Sequence, residues 1–316
     1  MEILELALNS ITFLSNREKN LLKKNIDSLD KLALLSIEDI SSIIGRSTKG
    51  EWNGPKLKEL VKRALSIMES KQIYGVSVND ELYPAMLRTI NDPPFCFFYR
   101  GNLEVLKKKC VSVVGTRRIK EETARAAMDF AKDAALNGQL VVSGLAYGVD
   151  SFAHKGALLS EVSGATAAVL PCGIDSAVPY GNRGLAASIL KNGGLLCSEY
   201  IPGTPAEPWR FVQRNRLIAA LSPATVVVHA PEGSGALITA DFALNYNRDV
   251  VFHKAGIEIQ SGTKTEGLKT KKSRLPSAEH YLAEGAPVIE NYADYVRVME
   301  NPPGTFSVKD RQPELF

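Results

Sequence analysis

Cysteine is scarce in this 316-residue chain, and the four present, Cys96, Cys110, Cys172 and Cys197, stand without CxxC spacing. Cys110 and Cys197 sit in strand-like runs and are expected as buried free thiols rather than metal ligands. No apolar run approaches the roughly 18–20 residues that a membrane helix needs. The opening residues, Met1-Glu2-Ile3-Leu4-Glu5, are acidic where a secretion signal would be basic. The expectation is a reducing, cytoplasmic setting with no membrane. Charge of one sign is also lacking: 38 Lys and Arg against 35 Asp and Glu leave a net +3. A polyanion could then be bound only where positive charge is concentrated locally. With 45% hydrophobic and 23% charged residues the chain is too apolar to be disordered. Its length supports a sizeable core without disulfides.

Residues 1–70 read as helical. Leu4, Ala7, Leu8 and Ile11 recur at helical spacing, as do Leu21, Leu22 and Ile26, then Ile40, Ile43 and Ile44. Cap-like starts are Asn16-Arg17-Glu18, Ser28-Leu29-Asp30 and Ser36-Ile37-Glu38-Asp39. Small helical domains of this kind can carry a helix-hairpin-helix that binds DNA phosphates, but its Gly-hydrophobic-Gly hairpin is missing, which favours a structural or protein-contact role. Residues 72–101, with Pro93-Pro94 and Phe95, Phe97, Phe98 and Tyr99, read as a joining segment packed on the next domain.

From Cys110 onward, strand-like runs alternate with helical stretches. The runs are Cys110–Val114, Leu140–Ser143, Ala167–Leu170, Gly194–Ser198, Ala224–His229 and Asp249–Phe252. The helical stretches lie near 121–137, 150–160, 184–192, 213–221 and 236–246. This pattern predicts a doubly wound α/β fold, a parallel sheet covered on both faces. Ligands in such folds bind beyond the carboxyl ends of the strands.

The residues that follow those strands are therefore the candidates. They include Gly115-Thr116-Arg117-Arg118, Ser143-Gly144-Leu145-Ala146-Tyr147-Gly148-Val149-Asp150, Pro171-Cys172-Gly173, Ser198-Glu199-Tyr200 and Glu232-Gly233-Ser234-Gly235. Small and glycine residues here either make short turns or let backbone N–H groups form anion nests along one rim. A dinucleotide site would need GxGxxG after the first strand, and only Gly115 is there. A Walker A loop is absent too. Arg117 and Arg118 at a helix-opening turn suit phosphate. A second basic segment runs Arg210-Phe211-Val212-Gln213-Arg214-Asn215-Arg216. Its arginines either grip phosphates beside a stacking aromatic or form ion pairs within the protein.

Taken together, these segments resemble the DprA/Smf family. Carrying the resemblance are Gly115-Thr116-Arg117-Arg118, Ser143-Gly144-Leu145-Ala146 with Gly148-Val149-Asp150 and Ala153-His154, Ser198-Glu199-Tyr200, Phe211 with Arg214-Asn215-Arg216, and Ser234-Gly235 with Thr239-Ala240. It spans roughly residues 72–290, and the helical start looks like the small N-terminal domain of many members, SAM- or helix-hairpin-helix-like. The resemblance implies an extended Rossmann-like sheet over 71–292, a short C-terminal tail at 293–316, and no winged-helix domain of the kind many relatives carry. It implies a single-stranded DNA binder that protects incoming strands and loads the recombinase RecA in natural transformation, a homodimer without catalytic activity or cofactor. By position it assigns phosphate contacts to Arg117, a basic pocket to Phe211, Arg214, Asn215 and Arg216, and backbone donors to the Ser143-Gly144 and Ser234-Gly235 turns. Gly115, Thr116 and Arg118 belong to the same expected DNA site.

The chain departs from the family pattern at His229, where a Glu commonly ends the strand, and at His253-Lys254-Ala255-Gly256. Gly262 to Arg274 carries Lys264, Lys269, Lys271, Lys272 and Arg274, and reads as a solvated loop or a DNA-contacting arm. The competing class is an enzyme of the lysine-decarboxylase-like phosphoribohydrolase group, faintly echoed by Glu232-Gly233-Ser234-Gly235-Ala236, with Asp241, shorter and offset, standing in for that group's helix glutamate. An acid–base pair of Asp150 and His154, four residues apart, competes with a structural hydrogen bond. A third class is a protein-interaction scaffold docking through residues 1–70.

Overall fold

The computed structural model describes residues 1–257 and 277–301. The Lys-rich stretch from Gly262 to Arg274 and most of the expected C-terminal tail lie outside them.

Five helices open the chain: α1 (Ile3–Asn9), α2 (Asn16–Asn25), α3 (Leu29–Leu34), α4 (Ile37–Ile44) and α5 (Gly54–Lys71). Ser15, Ser28, Ser36 and Asn53 cap the last four by accepting a backbone N–H of the first turn. Ser15 and Ser36 complete capping boxes with Glu18 and Asp39. The first cap thus lies one residue ahead of its expected place. Leu6, Leu8, Leu22, Leu32 and Ile40 are fully buried. They share one core with Phe98, Leu145, Ala168, Leu170 and Leu196 of the following α/β unit, so the helices rest directly on the sheet.

Among the described residues a nine-stranded sheet runs in the order β1-β2-β6-β5-β4-β3-β7-β8-β9. Its strands are β1 (Tyr74–Ser77), β2 (Cys96–Gly101), β3 (Cys110–Gly115), β4 (Leu140–Ser143), β5 (Thr166–Val169), β6 (Leu195–Ser198), β7 (Ala224–His229), β8 (Asp249–His253) and β9 (Val288–Ile289). From β6 to β9 all neighbours are parallel. The expected joining segment instead supplies β1 and β2, which extend the β6 edge antiparallel, with Tyr99 opposite Cys197. Phe97 and Phe98 are both fully buried, because each face of that edge is covered.

The later helices are α6 (Ala85–Arg88), α7 (Glu121–Leu136), α8 (Val149–Leu159), α9 (Arg183–Lys191), α10 (Pro208–Ala220), α11 (Gly235–Asn245), α12 (Ala278–Ala283) and α13 (Tyr292–Glu300). Side-chain alternation along each strand divides the core. Val113, Val141 and Val226 pack on α7, α8 and α13, while Val114, Val142 and Val227 pack on α10 and α11. Residue 293, the expected start of the tail, falls inside α13, whose Tyr292 and Tyr295 meet Phe130 of α7 edge-on. The packed unit therefore runs on to Glu300. Helix α10 begins at Pro208, five residues earlier than its apolar pattern announces, because a proline fits the first helical turn, where no N–H is needed.

All four cysteines are free and buried. Among the described residues no helix is long and apolar enough to cross a membrane.

Candidate nucleic-acid interface

Chain order sends β4 to one side of β3 and β7 to the other, which opens a crevice beyond their carboxyl ends. A cleft of about 410 Å³ lies there. Four segments line it: Gly115 to Arg118 at the end of β3, Ala146 and Asp150 after β4, Phe211, Val212, Arg214 and Asn215 of α10, and Pro231 to Ala236 at the start of α11.

The β3 turn is held by backbone bonds and close approaches. Thr116 N–H donates to the His229 carbonyl at 2.7 Å, and Val149 N–H donates to the Thr116 carbonyl at 3.2 Å. Gly148 adopts φ +77°, and a Cβ there would fall 2.2 Å from the Thr116 oxygen and 2.7 Å from Arg117 Cα. Only glycine lets the α8 start approach so closely. This fixes the backbone of Arg117 while its side chain stays exposed. The Arg117 guanidinium carbon lies 5.2 Å from the centre of the Phe211 ring. Neither Arg117 nor Arg118 forms an ion pair among the described residues, so both offer their charge to the cleft. Opposite them, Ser234 caps α11 and accepts from Ala236 N–H at 3.3 Å. Asn215 Nδ2 donates to the Gly235 carbonyl at 3.2 Å, joining α10 to that turn. The positive end of α11 thus faces the two arginines across the cleft, favouring an anion between them.

Arg214 is a different kind of arginine. It is 2% exposed and donates from Nη1 to the carbonyls of Gly144 and Val169, each at 2.5 Å. Its guanidinium lies so close over Gly144 that a Cβ there would fall 1.9 Å away. Burial lowers its pKa, and the neighbouring Asp150 carboxylate opposes that shift. Asp150 in turn accepts from Gly144 N–H at 3.1 Å and Ala146 N–H at 3.4 Å. Burial raises its pKa, against the Arg214 charge and these N–H groups. Arg214 and Asp150 thus form the floor of the cleft and tie the ends of β4 and β5 together. Arg214 is therefore not a free phosphate fork: its Nη1 is committed to two backbone carbonyls and its Nε is buried without a hydrogen-bond partner among the described residues.

Arg216 and the Ser143-Gly144 turn need the same correction. Two residues along a helix rotate about 200°, so Arg216 projects away from Arg214 and the cleft. It pairs with Glu199 and donates to the Asp92 carbonyl at 2.7 Å. Burial pushes the Glu199 carboxyl up and Arg216 holds it down. Ser143 Oγ donates to the Val113 carbonyl at 2.7 Å, and Gly144 N–H is taken by Asp150. Neither lines the cleft; they brace the layer behind it. Of the expected residues, Gly115, Thr116, Arg117, Arg118, Phe211, Arg214, Asn215, Ser234 and Gly235 come together around it.

The catalytic alternatives lose their geometry. His154 Nδ1 lies 2.7 Å from Thr166 Oγ1, whose hydroxyl proton goes to the Val141 carbonyl. The imidazole therefore carries its proton on Nδ1 and its Nε2 is buried without a partner. Burial lowers its pKa to about 3. Asp241, the candidate acid, accepts from the Tyr281 hydroxyl at 2.5 Å and lies outside the cleft lining. His229, the departure from the pattern, contributes its carbonyl to the β3 turn, so the side-chain change leaves that contact intact. No signal in the sequence marks Asp92, whose link to Arg216 crosses from the segment before β2.

A sequence profile of DNA recombination-mediator protein A matches residues 75–299. The Smf protein of Borreliella burgdorferi is 34% identical over 245 residues, 78% of this chain and 77% of its own. The DNA processing protein A of Streptococcus pneumoniae superposes with a TM-score of 0.70 at 28% identity, over 95% of this chain and 98% of that one. DNA processing protein A of Helicobacter pylori, described for its single-stranded DNA binding mode, shares the fold with a TM-score of 0.59 at 23% identity, over 74% of this chain and 98% of its own. The chain therefore belongs to the DNA recombination-mediator protein A family.

Proposed function

We propose that this protein binds single-stranded DNA without chemical turnover, holding the strand's phosphates in the cleft between the β3 turn and the start of α11. The observation that carries this is the pair of cations without an ion pair among the described residues, Arg117 and Arg118, facing a helix N-terminus beside an aromatic ring. The single-strand binding described for the Helicobacter pylori protein agrees with it. Cations on a fixed turn hold a backbone, and Phe211 offers a face to an unpaired base. Binding is then weakly sequence-specific and steeply salt-dependent.

The protein's role in this reading is to protect incoming strands and load RecA onto them during transformation or recombination, as a homodimer in the cytoplasm. Membership of a recombination-mediator family supports that role. Fluorescence anisotropy with a labelled single strand and its duplex, at two salt concentrations, tests the binding. Preference for the single strand that weakens with salt is expected. Equal binding to both forms, or to neither, contradicts it.

A further inference from the structure

Among the described residues the exposed large aromatics are Tyr74, Tyr147, Tyr180 and Trp209, and three of them gather on one rim of the sheet. Tyr147 follows β4, Tyr180 lies in the connection after β5, and Trp209 opens α10 after β6; they are 50%, 78% and 52% exposed. Strand ends in one sheet succeed each other at about 4.8 Å, so these connections continue the rim that holds the cleft.

The connections are also tied to one another. Asn182 Nδ2 donates to the Leu145 carbonyl at 2.8 Å, and a Cβ on Gly181 would fall 2.8 Å from the Tyr147 hydroxyl. Gly203 N–H donates to Asp175 Oδ1 at 2.7 Å, and Gly173 N–H to the Thr204 carbonyl at 3.0 Å, joining the segments after β5 and β6. Guanidinium groups back two of the rings: Arg183 lies 4.5 Å from the centre of Tyr180, and Arg210 lies 4.8 Å from that of Trp209. Tyr147 directly precedes Gly148, where a Cβ would fall 2.7 Å from Arg117 Cα, so the rim meets the cleft at the β4 end, beside the β3 turn.

Exposed rings backed by arginines, continuous with a phosphate-sized cleft, match what an unpaired strand needs and what a duplex cannot use. Resting on the reading of the cleft as a single-strand site, we infer that the strand runs on from it over the ends of β4, β5 and β6, stacking bases on Tyr147, Tyr180 and Trp209. The cleft supplies the charge and the rim supplies the stacking. The two contributions separate by salt: lost stacking lowers affinity at every salt concentration and leaves the salt slope alone.

The test uses the full chain, a labelled single strand of about 20 nucleotides, and the double variant Trp209→Ala/Tyr180→Ala. All substituted side chains are exposed, and circular dichroism checks the fold. The expected result is an affinity drop of at least about fivefold per ring, with the wild-type salt slope retained. On wild type, the same strand made abasic should bind more weakly still than the double variant binds the normal strand, since it also loses stacking on Tyr147 and Phe211. Adding the strand should also quench Trp209 fluorescence, read as the difference between wild type and Trp209→Phe. Unchanged affinity in the double variant overturns the rim, and so does a loss that flattens the salt slope, since that marks phosphate contacts. A change in sedimentation with intact strand binding would assign the rings to a protein contact instead. If wild type binds no strand at all, the reading of the cleft itself fails.

Discussion

The Arg117 guanidinium lies 5.2 Å from the centre of the Phe211 ring, joining the turn after β3 to the first turn of α10. That contact holds a cation and an aromatic face side by side at the point where the sheet's winding reverses. A phosphate on the guanidinium would bring its own base within reach of the ring. The three arginines of the expected basic site divide by their partners. Arg117 forms no side-chain hydrogen bond or ion pair among the described residues, Arg214 serves the strand ends, and Arg216 serves Glu199 and Asp92.

Arg216→Met should therefore lower stability and spare the DNA site. The substitution leaves the buried Glu199 carboxylate unpaired, a loss of about 3 kcal/mol or more on the scale of broken buried pairs. Urea unfolding should show that loss, while the salt slope of strand binding stays at the wild-type value. A flattened slope with normal stability would return Arg216 to the DNA contacts.

Arg214→Met should be as severe, by a different route. It strips two buried carbonyls, those of Gly144 and Val169, of their donor and leaves Asp150 without its neighbouring positive charge. Destabilisation of about 3–5 kcal/mol is expected. Arg214→Met/Asp150→Asn should cost less than the sum of the single variants, because it removes the stranded charge along with its partner.

Gly148→Ala tests whether the β3 turn is positioned from behind. The added Cβ would meet the Thr116 oxygen at 2.2 Å, on a backbone of φ +77°. A loss of about 1–3 kcal/mol is expected from the strained conformation. Strand affinity should fall along with it, although Gly148 itself touches no ligand, because Arg117 is displaced. Normal affinity in a folded Gly148→Ala protein would detach the turn from the site.

His154 predicts an acid limit. Its folded pKa, about 3, lies below the roughly 6.5 of a free imidazole. The unfolded chain therefore binds a proton that the folded one refuses between those values. The contribution to stability is complete above pH 6.5 and is lost as pH falls, by about 1.4 kcal/mol per pH unit until about 3. His154→Gln should flatten the pH dependence of unfolding in that window. An unaltered slope would mean that the ring is not neutral in the folded state.

Much of this was legible in the sequence because the α/β unit writes its pattern locally. Short valine-rich runs such as Cys110–Val114 are buried on both faces, and the residues that follow them mark the rim. The N-terminal helices announced themselves through Ser28 and Ser36, whose capping is a local interaction. The antiparallel edge was not legible, because β2 pairs with β6, a partner about 100 residues away in the chain, and β1 in turn pairs with β2. The fates of Arg214 and Arg216 were hidden for a related reason. Spacing places both on α10, but whether a guanidinium meets water or a carbonyl depends on packing from Gly144, Val169 and Asp92. The exposure of Arg117 follows from its place on a helix-opening turn at a strand end, which is a local feature.

The central claim is that Arg117 holds a phosphate of single-stranded DNA. The most direct test compares wild type with Arg117→Ala, measuring single-strand affinity across a range of salt concentrations. The account predicts weaker binding and a log–log salt slope shallower by about 0.7–1, one phosphate contact removed. Unchanged affinity with an unchanged slope would contradict it.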